Sequence, residues 1–283
     1  MILEFLESWT LFSHTYVSAL LIGASLSLMG VVVVARGNIF VAAALAQASV
    51  LGVALSLFFE IGQPVLSAVL CSVGASLLVS RKHQEGGVST SEEITGWIFL
   101  AGGSLSVLLL ARMPYGLKEI QSLFSSSIIG AGSSDIIVFS VLLFMFVGFL
   151  VLRMRRLTLY LSDTVMAAAV GANIFLWSIA ISCALGLVTG LAIRSSGMLF
   201  TFGSMILPAQ MAKIICRNIS GMFLVAPLIA LFCVMFGLVL GNYYDLPPAQ
   251  TVVALMCFFL LVTWVFRWVF DYVFLVGNSA GDN

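Results

Sequence analysis

The reactive side chains of this sequence are few and lie far apart. The two histidines, His14 and His83, form no HExxH pair of the kind that a metalloprotease needs. Asp245 follows a tyrosine, as one aspartate of an intramembrane aspartyl protease does, but no GxGD motif comes after it. The serines at 195–198 have no nearby histidine to act as a base. We therefore predict that the chain is not an enzyme.

The sulfur-containing residues offer no metal site either. The five cysteines show no CxxC spacing and fall within or at the edge of apolar stretches: Cys71, Cys183, Cys216, Cys233 and Cys257. Methionine fills irregular gaps in apolar cores, so Met166 and Met205, like Cys183 and Cys257, are predicted to pack and not to bind metal. The metal ligands of this chain, if it has any, are unknown from this pattern.

The elements that must carry these residues are membrane helices. Of 283 residues, 61% are hydrophobic and only 8% are charged, against about 25% charged in a soluble domain. Glu4 and Glu7 replace the positive start of a signal peptide, so we expect no cleavage there. Twelve basic residues balance twelve acidic ones, which leaves no basic surplus for nucleic acid. The sequence predicts an all-α polytopic membrane helix bundle.

Hydropathy and the positions of charges predict about nine transmembrane helices. The predicted spans are 15–35, 39–59, 63–79, 94–111, 135–152, 172–193, 197–213, 219–241 and 249–267. The segment 117–130 is too short and too rich in serine to span, so it is interpreted as a surface or re-entrant segment. The longest polar stretch, 81–93, is too short for a core of its own. We therefore expect one transmembrane domain over 1–283, with a short disordered tail at 277–283.

The basic residues predict the orientation, because cytoplasmic loops collect lysine and arginine. With the amino terminus outside and the carboxyl terminus inside, nine of the twelve basic residues face the cytoplasm. These nine are Arg36, Arg81, Lys82, Arg153, Arg155, Arg156, Lys213, Arg217 and Arg267. The outer side keeps only Arg112, Lys118 and Arg194. An odd number of spans makes the opposite orientation reverse this bias completely.

Ionisable groups inside a membrane are costly and usually functional. The acidic residues of this chain fall at predicted span ends or in loops, which disfavours a proton- or sodium-driven transporter. The middle of the spans holds only amides and hydroxyls, such as Gln47, Ser49, Thr189 and Ser204. A secondary transporter therefore stays an alternative and not the first hypothesis.

A short helix is predicted near 159–171, between the fifth and sixth spans. Ser162 or Asp163 can cap its start, and Gly171 can end it. The small side chains of Ala167, Ala168 and Ala169 favour a docking helix for a cytoplasmic partner. The alternative is a positively charged anchor against lipid headgroups, because three arginines precede it.

Four segments carry a resemblance to a known family. They are EEITGWIFLAGG (92–103), the segment 159–171, RSSGMLFTFGSMILPAQMAK (194–213) and NYYDLPPAQTVV (242–253). In this order they resemble the ABC-3 family, the permease subunits of ABC importers for zinc, manganese and iron. The first is similar to the family's acidic span start, and the second to its coupling helix, with Asp163, Ala169 and Gly171 in register. The third is similar to its turn and span ending in Leu-Pro-Ala, and the fourth to its turn before the last span.

The second span departs from the family pattern. The resemblance implies an Asp and, four residues later, a His as metal ligands, but this chain has Ala43 and Gln47 there. An amide is a weak ligand beside imidazole or carboxylate. Three hypotheses remain open: another metal route, a non-metal substrate, or a subunit that leaves ligation to a second permease. Gln47, Ala43 and Ser49 are the candidates for the substrate path.

The resemblance also implies the partners. They are a cytoplasmic ABC ATPase, an extracytoplasmic metal-binding protein and a second permease copy or paralogue, within the cell (inner) membrane. The coupling residues would be Asp163, Ala167, Ala168, Ala169 and Gly171. No Walker motif GxxxxGK[ST] is present, so ATP hydrolysis is expected in the separate ATPase, and no cofactor is expected on this chain.

Overall fold

The computed structural model describes the backbone of residues 2–111, 113, 118 and 132–279, and the side chains of 13–81, 92–111, 113, 118 and 132–270. Within these ranges the chain is helical and has no strand. Its elements are α1 (Ile2–Ala35), α2 (Ile39–Phe58), α3 (Pro64–Ala111), α4 (Ser133–Ser162), α5 (Thr164–Ala169), α6 (Ile174–Ile215), α7 (Ile219–Tyr243) and α8 (Pro248–Ser279). The predicted all-α class is confirmed.

The helix α3 crosses the bundle twice. Its two apolar segments, 64–81 and 92–111, are each long enough to span a membrane. Ser67 near the start and Leu110 near the end both lie against the second half of α2, at Gly52 and Ala54. A straight helix would hold Ser67 and Leu110 about 60 Å apart. The two segments therefore run in opposite directions along α2.

The helix α6 also contains a break. Gly197 has φ 76° and ψ 167°, a conformation that only glycine adopts readily, and it divides α6 into two helical parts. In the first part, Gly186 and then Gly190 lie against Val73 and then Val69 of α3. This part therefore runs antiparallel to the first segment of α3.

The second part of α6 runs back along α1. After the break, Phe200 lies beside Gly23 and Met205 lies beside Gly30. The chain therefore reverses at Gly197, and the eight candidate membrane helices found among the described residues make nine crossings. The predicted number of spans is confirmed, and the reversal falls between the predicted spans 172–193 and 197–213.

Glycines set the distance between these helices. A Cβ atom on Gly30 would lie 1.6 Å from the carbonyl oxygen of Met205, and one on Gly52 would lie 2.3 Å from that of Ser67. Helices in a membrane gain no hydrophobic effect from association, so close backbone packing must supply the stability. The tight bundle that the sequence predicts is present.

Several helix boundaries differ from the predictions: α1 begins at Ile2, before the predicted 15, and α3 continues through the predicted polar break at 80–93. The helix α4 continues ten residues beyond the predicted end at 152, because arginine, leucine and methionine sustain a helix even where hydropathy falls. Residues 159–162 thus end α4, and the short helix begins only at Thr164. The helix α8 runs through Ser279 along a continuing apolar stretch, so 277–279 are helical, and 280–283 lie outside the described residues. The predicted re-entrant segment 117–130 lies outside them too, except for Lys118.

Candidate translocation path and coupling helix

Gln47 lies in the contact between α2 and the second segment of α3. It is only 6% exposed, and its Oε1 atom accepts no hydrogen bond. A Cβ atom on Gly102 would lie 3.0 Å from the Gln47 carbonyl oxygen, and one on Gly103 would lie 3.3 Å from Oε1. The two glycines make room for the amide. A buried acceptor oxygen without a hydrogen-bond donor lowers the stability of the folded state, so the Gln47 oxygen is unfavourable in this position.

The three path candidates on α2 do not share one face. Ala43 precedes Gln47 by one helical turn and is equally buried, so these two side chains lie on the same side. Ser49 is fully buried, and its hydroxyl also has no partner, but two residues along a helix rotate by about 200°. The structure therefore groups Ala43 with Gln47 and separates Ser49 from them.

No group of three or more His, Cys, Asp or Glu side chains could hold a metal ion among the described residues. The soft alternatives are dispersed: Met205 is buried against Gly30, whereas Met166 is exposed on α5. Cys257 is exposed on α8, and Cys183 is half-buried on α6. The Gln47 amide oxygen is a weak metal ligand beside an imidazole or a carboxylate.

Sequence reasoning missed the glycine pair and two of the unpartnered serines, Ser25 and Ser72. Gly102 and Gly103 stood in a motif quoted for its resemblance alone, yet they form the wall opposite Gln47. The hydroxyls of Ser25, Ser72 and Ser204 are buried without a partner on α1, α3 and α6. A double glycine in the middle of an apolar segment was the available signal for a close helix approach.

The short helix α5 has two of the end residues that the sequence predicts, the cap at Asp163 and the glycine at 171. The Asp163 carboxylate oxygen Oδ1 accepts hydrogen bonds from the backbone N–H groups of Val165 at 2.8 Å and Met166 at 3.0 Å. Ser162 is not the cap, since its hydroxyl donates to the Thr158 carbonyl oxygen. Gly171 has φ +84°, the left-handed conformation typical of a residue just after a helix.

The alanines of α5 point in different directions. Ala167 is fully buried against the bundle, whereas Ala168 and Ala169 are exposed. Val165 and Val170 are exposed by 78% and 74%, and Met166 by 58%. Ala167 therefore holds α5 on the bundle, and the other side chains form an apolar outer surface. We call Val165, Met166, Ala168, Ala169 and Val170 the α5 surface.

Aromatic packing fixes α5 to the rest of the bundle. Near the end of α4, Tyr160 is buried, and its hydroxyl accepts a hydrogen bond from the Arg36 guanidinium group. The Arg36 guanidinium carbon lies 4.6 Å from the centre of the Tyr160 ring, which stacks on Trp177 of α6 at 5.9 Å. The helices on both sides of α5 are therefore joined to α1, and we call this end of the bundle the Arg36 end.

The opposite end carries a polar pocket. The Asp135 carboxylate accepts hydrogen bonds from the Ser195 hydroxyl at 2.8 Å and from the Gly132 backbone N–H at 2.9 Å. Arg194 lines the same cavity of about 380 Å³. These bonds join the start of α4 to the turn of α6 near Gly197. The pocket is lined by one acidic and one basic residue. Their charges balance, so charge alone does not favour a cation there.

Known proteins match most of the chain. The manganese transport system membrane protein MntC of Listeria monocytogenes is 22% identical over 91% of this chain and 92% of its own length. The high-affinity zinc uptake system membrane protein ZnuB of Haemophilus influenzae is 26% identical over 87% and 95%. The manganese import system permease protein ScaB of Streptococcus parasanguinis is 22% identical over 93% and 94%.

Solved structures match in fold. PsaBC from Streptococcus pneumoniae in complex with Fab superimposes with a TM-score of 0.80 and 18% identity, over 93% of this chain and 95% of that one. An inward-facing conformation of a metal-chelate type ABC transporter gives a TM-score of 0.75 and 18% identity, over 92% and 88%. The architecture predicted by resemblance is confirmed.

The family assignment follows from the match over nearly the whole chain. Residues 8–267 match the ABC 3 transport family, and this range contains the turn at Gly197, the path candidates and α5. The match favours an ABC permease over the secondary transporter that the sequence left as an alternative. This chain is a multi-pass membrane protein and belongs to the ABC 3 transport family.

Proposed function

We propose that this chain is the membrane permease subunit of an ABC importer for a divalent transition metal such as zinc, manganese or iron. The family match and the names of relatives that transport manganese and zinc support this function. A separate ATPase drives the permease from the cytoplasm, since the sequence has no Walker motif. A second permease and an extracytoplasmic binding protein complete the importer.

The observation that carries the proposal is the α5 surface. Its apolar side chains lie outside the membrane spans, at the end of the bundle where the arginines Arg36, Arg153, Arg155 and Arg156 collect. Apolar area facing water costs about 25 cal/mol per Å², so a helix that keeps valine and methionine exposed there suits a protein partner. Asp163 caps the start of α5, and Ala167 packs it against the bundle, so both residues position this surface.

The orientation of the proposed importer follows from the same end. Positively charged loops stay in the cytoplasm, so the Arg36 end faces the ATPase, with the amino terminus outside and the carboxyl terminus inside. A reporter fused within the loop that carries α5 distinguishes the two orientations. An extracellular signal there would contradict both the orientation and the docking role.

The experiment that tests docking is Ala168→Trp, with Ala168→Ser as the matched control at the same exposed position. The indole group would stand where the ATPase must close around α5, so we expect co-purification of the ATPase to fall at least tenfold. The serine variant keeps the small side chain and should bind as the wild type does. Equal Tm values for the two variants show that folding is unchanged, and full co-purification by the tryptophan variant would reject docking on α5.

The substrate path is proposed along the face of α2 that carries Ala43 and Gln47. This face offers a methyl group and an unpartnered amide oxygen, so it would pass a cation without holding it tightly. Selectivity then comes from the extracytoplasmic binding protein, or from ligands on a second, different permease. The contact with Gly102 and Gly103 closes the face in this conformation, so transport requires that α2 and α3 separate there.

A further inference from the structure

An apolar crevice opens on the membrane side of the bundle between α4 and three other helices. Its floor is buried and consists of Met29, Phe146, Leu150, Leu157, Ile181 and Phe223. Its rim is exposed at Met145, Phe149 and Ala180. The cavity has a volume of about 220 Å³ and almost no polar lining. It thus differs from the polar pocket at Asp135.

The crevice lies in the half of the membrane next to the Arg36 end. Met29 lies seven residues before Arg36 on α1, and Phe223 lies four residues after the start of α7. Seven residues of helix correspond to about 10 Å along the axis. The crevice therefore reaches from the acyl region of one leaflet toward its headgroups.

An arginine, Arg153, lies between the lining residues Leu150 and Leu157 on α4, in the part of the crevice nearer the Arg36 end. Phe146, Leu150, Arg153 and Leu157 follow one another on α4 at intervals of four, three and four residues, so they share one face. Arg153 is exposed, and its long side chain can reach the membrane surface while its stem covers apolar groups. Arg155 lies about 160° around the helix and points away from this face.

The lining of the crevice indicates which kind of group can occupy it. Because the lining is almost entirely apolar, it offers no partner to a polar group and suits an apolar chain. An empty cavity would leave its lining without contacts on one side, at a cost in dispersion energy. An acyl chain is narrow, apolar and present at high concentration at this depth.

We propose that this crevice binds an anionic phospholipid, with one acyl chain between Phe146 and Phe223 and the phosphate group on Arg153. Basic residues beside cavities between membrane helices on the cytoplasmic side are typical of sites for anionic headgroups. The bound lipid fills the space between α4 and the α1, α6 and α7 helices. Because α4 leads directly into Asp163 and α5, the lipid also supports the position of the α5 surface.

Native mass spectrometry of the purified full chain in detergent tests the proposal, with phosphatidylglycerol and phosphatidylcholine added as probes. We expect the wild type to retain phosphatidylglycerol at least fivefold more than phosphatidylcholine. Arg153→Gln should abolish this preference, whereas Arg155→Gln, on the opposite side of the same helix, should keep it. Retention of the preference by Arg153→Gln would overturn the proposal.

A second pair of variants tests the crevice itself. Ala184 also lines the cavity, so Ala184→Phe places a ring in the space of the acyl chain and should lower retention of both lipids at least threefold. Ala254→Phe adds the same ring at an exposed position on α8 and should leave retention unchanged. If Ala184→Phe prevents self-association while lipid retention stays at the wild-type level, the crevice is an interface between copies and the lipid proposal is wrong.

Discussion

Two regions of the molecule differ in how well they match the family pattern. These are the contact between α2 and α3 and the short helix α5. At the α2–α3 contact, Ala43 and Gln47 stand where the two metal ligands are expected, and Gly102 and Gly103 pack closely against Gln47. At α5, the predicted cap at Asp163 and the left-handed glycine at Gly171 are both present, and the apolar side chains face outward. Among the described residues, α5 thus has the cap and the exposed surface expected of a docking helix, whereas α2 lacks the two expected metal ligands.

This difference separates two tasks of a permease. Movement needs helices that pack tightly and a surface for a partner; close packing is present at the α2–α3 contact, and α5 exposes an apolar surface that we propose for the partner. Holding a metal needs imidazole or carboxylate groups in a cluster, and the described residues provide none. Under the proposed function, the permease moves with its partners while another subunit determines which ion is held.

Gly52→Ala should have the largest effect, because it tests whether packing alone maintains the α2–α3 contact. The added Cβ would lie 2.3 Å from the Ser67 carbonyl oxygen, and this backbone atom cannot move without shifting α3. Overpacking of this kind costs about 3 kcal/mol, so we expect a large fall in Tm in detergent.

Gly74→Ala is the matched control on α3. Gly74 is exposed, and nothing lies within 4 Å of its Cβ position. Alanine gains about 0.5–1 kcal/mol of helix propensity there, so Tm should stay equal or rise slightly. Equal stability of the two variants would show that α2 and α3 are held together by something other than close backbone approach.

The double substitution Ala43→Asp and Gln47→His restores the missing ligand types one turn apart on α2. It tests whether this face of α2 can bind a metal ion. A carboxylate and an imidazole on one helical face bind zinc or manganese far better than a methyl and an amide. We expect at least a tenfold gain in affinity by calorimetry, together with a rise in Tm on adding the metal, since a ligand that binds only the folded state stabilises it.

Each single substitution serves as a control for the pair. Ala43→Asp alone buries a charge at a position that is 6% exposed, so it should lower Tm without a large gain in metal affinity. Gln47→His alone should gain less than the pair. If the double variant shows neither tighter metal binding nor a metal-dependent Tm, this face of α2 does not belong to the path.

Local patterns were sufficient to predict much of this molecule, and long-range neighbours explain the rest. Nine spans followed from hydropathy, and the turn at Gly197 fell where a polar break separated two of them. The Asp163 cap was predictable because a cap concerns only the next three residues. The wall opposite Gln47 lies about 55 residues later in the chain, so hydropathy contains no information about it.

The three alanines of α5 also show that the sequence alone does not reveal which neighbours a side chain contacts. They are chemically identical, and the side on which each one lies depends on how α4 and α6 hold a helix of six residues. Ala167 faces the bundle because the stacked Tyr160 and Trp177 rings fix the helices on both sides of α5. The end of α4 was missed because arginine ends a hydropathy segment but does not end a helix.

Asp163→Ala should have the smallest effect. It tests whether the helix cap at the start of α5 matters for docking. The substitution removes the hydrogen bonds to the N–H groups of Val165 and Met166, which costs about 1 kcal/mol of local helix stability. Because the ATPase would bind the folded α5, we expect its apparent affinity to fall roughly fivefold. Asp163→Asn keeps an oxygen acceptor in the same place and should lose less than half of that free energy.

An unchanged affinity in Asp163→Ala, measured by titration of the ATPase, would mean that packing by Ala167 holds α5 without its cap. The docking surface would then depend on the same kind of contact as the α2–α3 interior, and the contrast between the two regions would lie only in what they expose.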